Sequence, residues 1–136
     1  MGKRILVCDD DADLRRILVR LLSDEYELFE AADGDEALRL IETVRPELVL
    51  LDMTMPGRSG LETLAAYAPR HPGTLTLVLS GVQEIELARR ALDLGAVEYV
   101  TKPFDPDQLR TDVRRVLGLG DRRGRDQEAP PWRHAP

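Results

Sequence analysis

The chain has 136 residues, of which 43% are hydrophobic and 32% charged, a balance typical of a soluble globular domain. Its formal net charge of −6 argues against direct nucleic-acid binding. No apolar run approaches the ~20 residues that cross a bilayer, and the N-terminus lacks a signal-peptide pattern. Cys8 is the one cysteine, so no internal disulfide can form, and this fits a reducing environment. Together these features predict a cytoplasmic protein without membrane association.

The first half of the chain predicts three strands separated by two helices. Short apolar runs at residues 5–8, 26–31 and 48–51 predict the strands, and the first and third runs are continuously apolar, as in strands buried on both faces. Between them, apolar residues spaced three and four apart predict helices: Leu14, Ile17, Leu18, Leu21 and Leu22, then Ala37, Leu38, Ile41 and Val44. Pro46 ends the second helix.

The second half continues the same alternation. A third helix opens at Ser59-Gly60-Leu61-Glu62 and ends before Pro69, and strands are predicted at residues 75–79 and 97–100. Two further helices follow these strands, on apolar positions of the same spacing: Ile85, Ala88, Ala91 and Leu92, then Leu109, Val113, Val116 and Leu117.

Five strands alternating with five helices predict an α/β fold of the (βα)5 type. We expect a doubly wound, parallel five-stranded sheet with strand order 2-1-3-4-5 and ligands at the carboxyl ends of the strands. Residues 1–118 form this one domain. Residues 119–136 show no apolar periodicity and are predicted to be a flexible C-terminal tail or linker.

Polar groups follow four of the five predicted strands. Asp9-Asp10-Asp11 comes after the first strand, Asp52 after the third, Ser80-Gly81 after the fourth and Thr101-Lys102-Pro103 after the fifth. Taken singly, these are ordinary features: aspartates cap helices, Ser-Gly forms turns and lysines are solvated. In a parallel sheet, however, all four groups meet at one edge, and this joint placement favours a functional site.

The residue types at this edge suit phosphoryl transfer. Neighbouring carboxylates stay ionised only beside a compensating cation, and Mg2+ prefers carboxylate and phosphate oxygens. A carboxylate can itself attack phosphorus and form an acyl phosphate. Mg2+, the Lys102 ammonium, the Ser80 hydroxyl and backbone N–H groups would then stabilise the phosphoryl oxygens. Asp52, at the centre of the edge, is the predicted nucleophile.

The same residues lie in a set of motifs that resembles the receiver domains of two-component response regulators. The motifs occur in order over residues 3–117: Ile5-Leu6-Val7-Cys8-Asp9-Asp10-Asp11, Leu51-Asp52-Met53-Thr54-Met55-Pro56-Gly57 with Gly60, Leu79-Ser80-Gly81, Leu94-Gly95-Ala96 with Tyr99, and Lys102-Pro103-Phe104. The chain looks like a single-domain regulator of the chemotaxis or sporulation type. The resemblance implies the flavodoxin-like receiver fold.

The resemblance also implies a role for each site residue. Asp52 would be phosphorylated, and Mg2+ (or Mn2+) would bind Asp10, Asp52 and the backbone carbonyl of Thr54, with Asp9 acting mainly through a bound water. Ser80 and Lys102 would contact the phosphoryl group, and Tyr99 would swing inward once Ser80 moves. The peptide bond before Pro103 would be cis, the form that occurs before proline.

Partners and chemistry follow from the same family. The phosphoryl donor would be a phosphohistidine on a sensor histidine kinase or phosphotransfer protein. The fourth helix, fifth strand and fifth helix would bind a downstream protein, and a homodimer could form on phosphorylation. The chain would be a signalling switch rather than an enzyme. Thr54 and Val82 stand where the family tunes loss of the phosphoryl group, and Val82 cannot orient a water, so we expect slow autodephosphorylation.

Four alternatives remain. A hydrolase with an aspartyl-phosphate intermediate would need a second carboxylate where Thr54 stands, and a nucleotide or flavin binder would need glycines in the anionic turn at residues 9–13. A degenerate, phosphorylation-independent interaction module would not need the complete set of site residues. The chain could also be the receiver fragment of a larger transcription regulator or hybrid histidine kinase.

Overall fold

The computed structural model describes residues 2–126 and alternates strands with helices throughout. The strands are β1 (Arg4–Cys8), β2 (Glu27–Ala31), β3 (Leu48–Asp52), β4 (Leu75–Gly81) and β5 (Glu98–Lys102). The helices are α1 (Ala12–Leu22), α2 (Gly34–Val44), α3 (Gly60–Tyr67), α4 (Ile85–Asp93) and α5 (Pro106–Asp126), and a 3-10 turn at Val82–Glu84 precedes α4. Within residues 2–126, no helix is long and apolar enough to span a bilayer.

All neighbouring strands are parallel, and their order is β2-β1-β3-β4-β5, which confirms the predicted topology. Successive residues of the central strands point to opposite faces, so each strand supplies two cores. In β3, Val49 and Leu51 pack with α2, α3 and α4, whereas Leu48 and Leu50 pack with α1 and α5. The sheet is therefore covered on both faces, and its carboxyl edge is left for polar residues.

Capping side chains define where the helices next to that edge begin. Asp11 caps α1, its side chain accepting hydrogen bonds from the N–H groups of Asp13 and Leu14. Ser59 and Glu62 form a reciprocal capping box at the start of α3. These caps fix the loop after β1, which carries Asp9 and Asp10, and the loop that directly follows Asp52 at the end of β3.

Helix α5 extends further than the sequence pattern predicts. The apolar stripe ends at Leu117, but the helix continues to Asp126, so the predicted domain boundary at 118 lies inside it and residues 119–126 are helical. The residues beyond the stripe include glycines, which cost a helix about 1 kcal/mol each without breaking it, and no proline stands between Leu117 and Pro130. The rest of the predicted tail, residues 127–136, lies outside the described residues.

Candidate functional site

Three carboxylates meet where β1 and β3 end. Each of Asp9, Asp10 and Asp52 offers an oxygen, and these oxygens all lie within 4.8 Å of one another. Asp9 and Asp52 are buried, with 1% and 3% of their surface exposed, whereas Asp10 is exposed. The cluster arises because β1 and β3 are adjacent parallel strands that end at the same level. Hard oxygen ligands in this arrangement suit a divalent cation such as Mg2+.

Lys102 reaches this cluster from the end of β5. Its Nζ lies 3.2 Å from Asp9 Oδ2 and 3.1 Å from Asp52 Oδ1, so one ammonium pairs with both buried carboxylates. The side chain of Lys102 keeps 26% of its surface exposed, and its stem crosses the end of the intervening strand β4. The strand order is what makes this contact possible, because β5 is fifty residues away from Asp52 in the chain.

The charges of the cluster are unbalanced. Burial, and after it the charge of Asp9, raises the pKa of Asp52 to about 6, although Lys102 pulls it in the opposite direction. Burial alone would lower the pKa of the Lys102 ammonium, but the carboxylates of Asp52 and Asp9 outweigh this and raise it above its usual value. The site holds more negative than positive charge, and a bound cation would relieve this excess.

Backbone contacts hold the two buried aspartates in place. The N–H of Thr54 donates to Asp52 Oδ1 at 3.3 Å, and the N–H of Asp11 donates to Asp9 Oδ1 at 2.9 Å. Gly60 brings the start of α3 against the end of β3, since a Cβ at this position would lie 2.2 Å from the carbonyl oxygen of Asp52. The local backbone around Asp52 therefore depends on a glycine eight residues later.

The remaining predicted site residues are Ser80, Tyr99 and Pro103, and within residues 2–126 their side chains make no hydrogen bond to the acidic cluster. Ser80 is fully buried at the end of β4, and its hydroxyl donates to the carbonyl of Gly81 at 3.1 Å rather than to Asp52. Tyr99 is half-buried on β5, paired with Val78 of β4. The Lys102–Pro103 peptide bond is cis. The structure thus joins the aspartates to Lys102 and leaves the Ser80 and Tyr99 side chains outside that network.

Two contacting residues were not singled out from the sequence. The guanidinium of Arg15 donates to the backbone carbonyl of Asp9 at 2.6 Å and to Glu30 at 3.1 Å, which supports the acidic loop from α1. The carboxylate of Glu84 accepts from the Thr54 hydroxyl and from the N–H of Gly81, the latter at 2.7 Å. Glu84 stands three residues after Gly81, the spacing at which a glutamate accepts from the backbone N–H at a helix start, and this spacing could have drawn attention to Glu84. No local pattern marks Arg15.

Comparison with known proteins identifies the family. The family model that describes the response regulator receiver domain matches residues 5–114 of this chain. Sporulation initiation phosphotransferase F of Bacillus subtilis is 34% identical over 120 residues, which cover 88% of this chain and 97% of that protein. The regulatory protein AtoC of Escherichia coli is 36% identical, with 85% of this chain covering only 25% of that protein. The chain also spans about half the length of other curated relatives that it matches.

Solved structures agree with this relationship. The receiver domain of NtrX from Brucella abortus is 38% identical, with a TM-score of 0.80 over 84% of this chain and 98% of that one. A CheY-like receiver domain protein from Methanospirillum hungatei is 29% identical, with a TM-score of 0.85 over 90% of this chain and 98% of that one. The sequence motifs, the strand order and the acidic cluster have the same explanation: the chain belongs to the response regulator receiver domain family of two-component systems.

Proposed function

We propose that this domain accepts a phosphoryl group on Asp52 and changes conformation to signal to a partner protein. The observation that carries the proposal is the position of the buried Asp52: it belongs to the acidic cluster, and its Oδ1 lies 3.1 Å from Lys102 Nζ. A nucleophilic carboxylate, an acidic metal site and a fixed ammonium are the groups that phosphoryl transfer to a carboxylate needs.

The acidic cluster fits a divalent cation. Asp10, Asp52 and the backbone carbonyl of Thr54 would hold Mg2+ (or Mn2+) directly, with Asp9 holding a water of the ion. The excess negative charge and the all-oxygen donor set favour this assignment. When bound, the ion supplies charge neutralisation between the carboxylates and the incoming phosphoryl oxygens.

The side chains would divide the chemistry between them. A carboxylate oxygen of Asp52 attacks phosphorus, the new O–P bond forms, and the bond from phosphorus to the imidazole nitrogen of the donor breaks. Lys102 already contacts this carboxylate, so it is placed to pair with the phosphoryl oxygens. The donor would be a phosphohistidine of a sensor histidine kinase or a phosphotransfer protein.

Output would follow from a shift between two conformations. Ser80 would turn its hydroxyl from the Gly81 carbonyl to the phosphoryl group, and Tyr99 would move inward behind it. The surface of α4, β5 and α5 would then bind a downstream protein, or a second copy of the domain. We assign no nucleic-acid contact to the domain itself and place the protein in the cytoplasm, where a reduced Cys8 would persist.

A receiver within a longer regulator is the second candidate. Relatives of which this chain covers only 25% or 53% favour it, because their receivers are parts of larger proteins. The relative that it covers to 97% favours a single-domain regulator. The chemistry at Asp52 is the same in both.

Acetyl phosphate with Mg2+ tests the proposal without a kinase. Intact mass should rise by one phosphoryl group in the wild type and in Asp24→Asn, which alters an exposed aspartate outside the cluster. Asp52→Asn should show no gain, and EDTA should prevent labelling of the wild type. Labelling of Asp52→Asn to the wild-type extent would contradict the assignment of the acceptor.

A further inference from the structure

The carboxylate of Glu84, which follows β4, joins the end of that strand to the loop that follows Asp52. One oxygen accepts from the hydroxyl of Thr54, on the loop after β3, and the other accepts from the N–H of Gly81 at 2.7 Å, at the end of β4. The first contact spans thirty residues of sequence. Glu84 therefore ties the acceptor loop to the segment that follows Ser80.

This carboxylate lies close to the acceptor. Thr54 contacts Glu84 through its hydroxyl and Asp52 through its N–H, which donates at 3.3 Å. These linked contacts hold the two carboxylates within about one Debye length, so their charges interact. Glu84 adds a further negative charge beside three aspartates. An anionic phosphoryl donor at Asp52 would therefore be repelled by the Glu84 carboxylate as well as by the aspartates.

The Glu84 carboxylate accepts hydrogen bonds from two polar groups, the Thr54 hydroxyl and the Gly81 N–H. A Cβ at Gly81 would lie 3.3 Å from Glu84 Oε1, so the glycine leaves room for the carboxylate to reach the backbone. Capping of the 3-10 turn by Glu84 would explain its bond to Gly81. Capping does not explain the bond to Thr54, which belongs to another loop. The second contact makes Glu84 a bridge across the site and more than a local cap.

We propose that Glu84 is a gate residue of the phosphorylation site. In the unphosphorylated protein its carboxylate holds the loop after β3 to the end of β4, repels anionic phosphoryl donors and slows the phosphorylation of Asp52. The acyl phosphate at Asp52 carries a charge of about −2 in place of the carboxylate's −1, and the stronger like-charge repulsion then displaces Glu84 from Thr54 and Gly81. The inference rests on the proposed role of Asp52 as acceptor.

Displacement of Glu84 would also affect α4, which belongs to the proposed partner-binding surface of α4, β5 and α5. Glu84 is the last residue of the 3-10 turn and directly precedes α4, which begins at Ile85. Its release would free the start of α4 from the loop after β3 and from Gly81 at the end of β4. The gate therefore links the charge on Asp52 to the position of a helix on the proposed partner surface.

Labelling kinetics with acetyl phosphate and saturating Mg2+ test the gate. In this reaction Asp52 forms a bond to phosphorus, the bond to the acetyl oxygen breaks, and acetate leaves. Glu84→Gln removes the charge but keeps hydrogen-bonding groups, and Glu84→Ala removes both. We expect both variants to be labelled roughly tenfold faster than the wild type, mainly through a lower half-saturating donor concentration. The matched control, Glu86→Gln, removes an exposed charge two residues away and should stay within about twofold.

Distinct outcomes separate the gate from the proposed function. A purely structural cap predicts that Glu84→Gln behaves as the wild type, and this result, or slower labelling caused by weaker Mg2+ binding, would overturn the gate alone. An equal acceleration in Glu86→Gln would reduce the effect to general surface charge and would also overturn it. Absence of labelling in the wild type would overturn both the acceptor and the gate. Hydrogen exchange at the Gly81 amide gives an independent check, since Glu84→Ala should accelerate it in the unphosphorylated protein.

Discussion

Replacing Asp52 with asparagine should stabilise the fold when divalent cations are removed. Asp52 is 3% exposed, and burial together with the charge of Asp9 raises the pKa of its carboxyl to about 6 from an ordinary 3.8. Above pH 6 the folded protein must therefore keep an ionised carboxylate in an unfavourable environment. Asparagine removes the charge and keeps an oxygen that can accept from Lys102.

The pKa values set the sign and size of this effect. Below pH 3.8 the carboxyl is protonated in both the folded and the unfolded chain, so it costs no stability; the cost grows between 3.8 and about 6 and is complete above 6. The difference corresponds to about 3 kcal/mol at pH 8. We expect Asp52→Asn to raise the free energy of unfolding by about 2 to 3 kcal/mol, or Tm by roughly 5 to 10 °C.

Urea unfolding in EDTA at pH 8 and pH 5 measures this effect. The advantage of Asp52→Asn should be larger at pH 8 than at pH 5, while Asp24→Asn, an exposed control, should change the free energy of unfolding by no more than about 0.5 kcal/mol. Equal stability of Asp52→Asn and wild type at pH 8, or an advantage independent of pH, would refute the reasoning that the buried charge is costly.

Three further predictions concern the same site. Mg2+ at about one hundred times its dissociation constant should stabilise the wild type by about 2.7 kcal/mol in thermal or urea unfolding, and Asp52→Asn by clearly less; equal gains would contradict a metal site at Asp52. Gly60→Ala should cost about 2 to 4 kcal/mol, because its Cβ would lie 2.2 Å from the Asp52 carbonyl, whereas Gly73→Ala, with no atom within 4 Å, should be nearly neutral in urea unfolding. The phosphoryl group on Asp52 should persist well beyond seconds, because the exposed Val82 cannot orient a water; a wild-type half-life of seconds, unchanged in Val82→Glu, would argue against this explanation.

The fold and the acidic cluster could be predicted because both follow from periodicity. Apolar runs fix strands buried on two faces, and parallel strands bring their carboxyl ends to one edge, so Asp9 and Asp52 lie side by side. Lys102 ends a strand at the same edge, and its long side chain reaches both carboxylates. The positions of the strand ends were predicted less accurately. β4 and β5 each continue two residues past the apolar run and include Ser80 and Lys102, because hydrogen bonding between strands continues where side chains become polar.

Other features depend on contacts that no local pattern records. The bond between Thr54 and Glu84 joins positions thirty residues apart, and a lone glutamate after a strand gives no indication of it. The hydroxyl of Ser80 can rotate to any nearby acceptor, so the sequence does not fix its direction. The continuation of α5 to Asp126 reflects backbone hydrogen bonding in a segment without apolar spacing, where periodicity carries no signal.

Chemical mapping of the acyl phosphate tests the assignment of Asp52 most directly. Borohydride reduces an aspartyl phosphate to homoserine, which peptide mass spectrometry can locate within the chain. After treatment with acetyl phosphate and Mg2+, we predict homoserine at position 52 and unchanged aspartates at positions 9 and 10. Homoserine at either of those positions, or none at 52 in protein that has gained a phosphoryl group, would contradict the account.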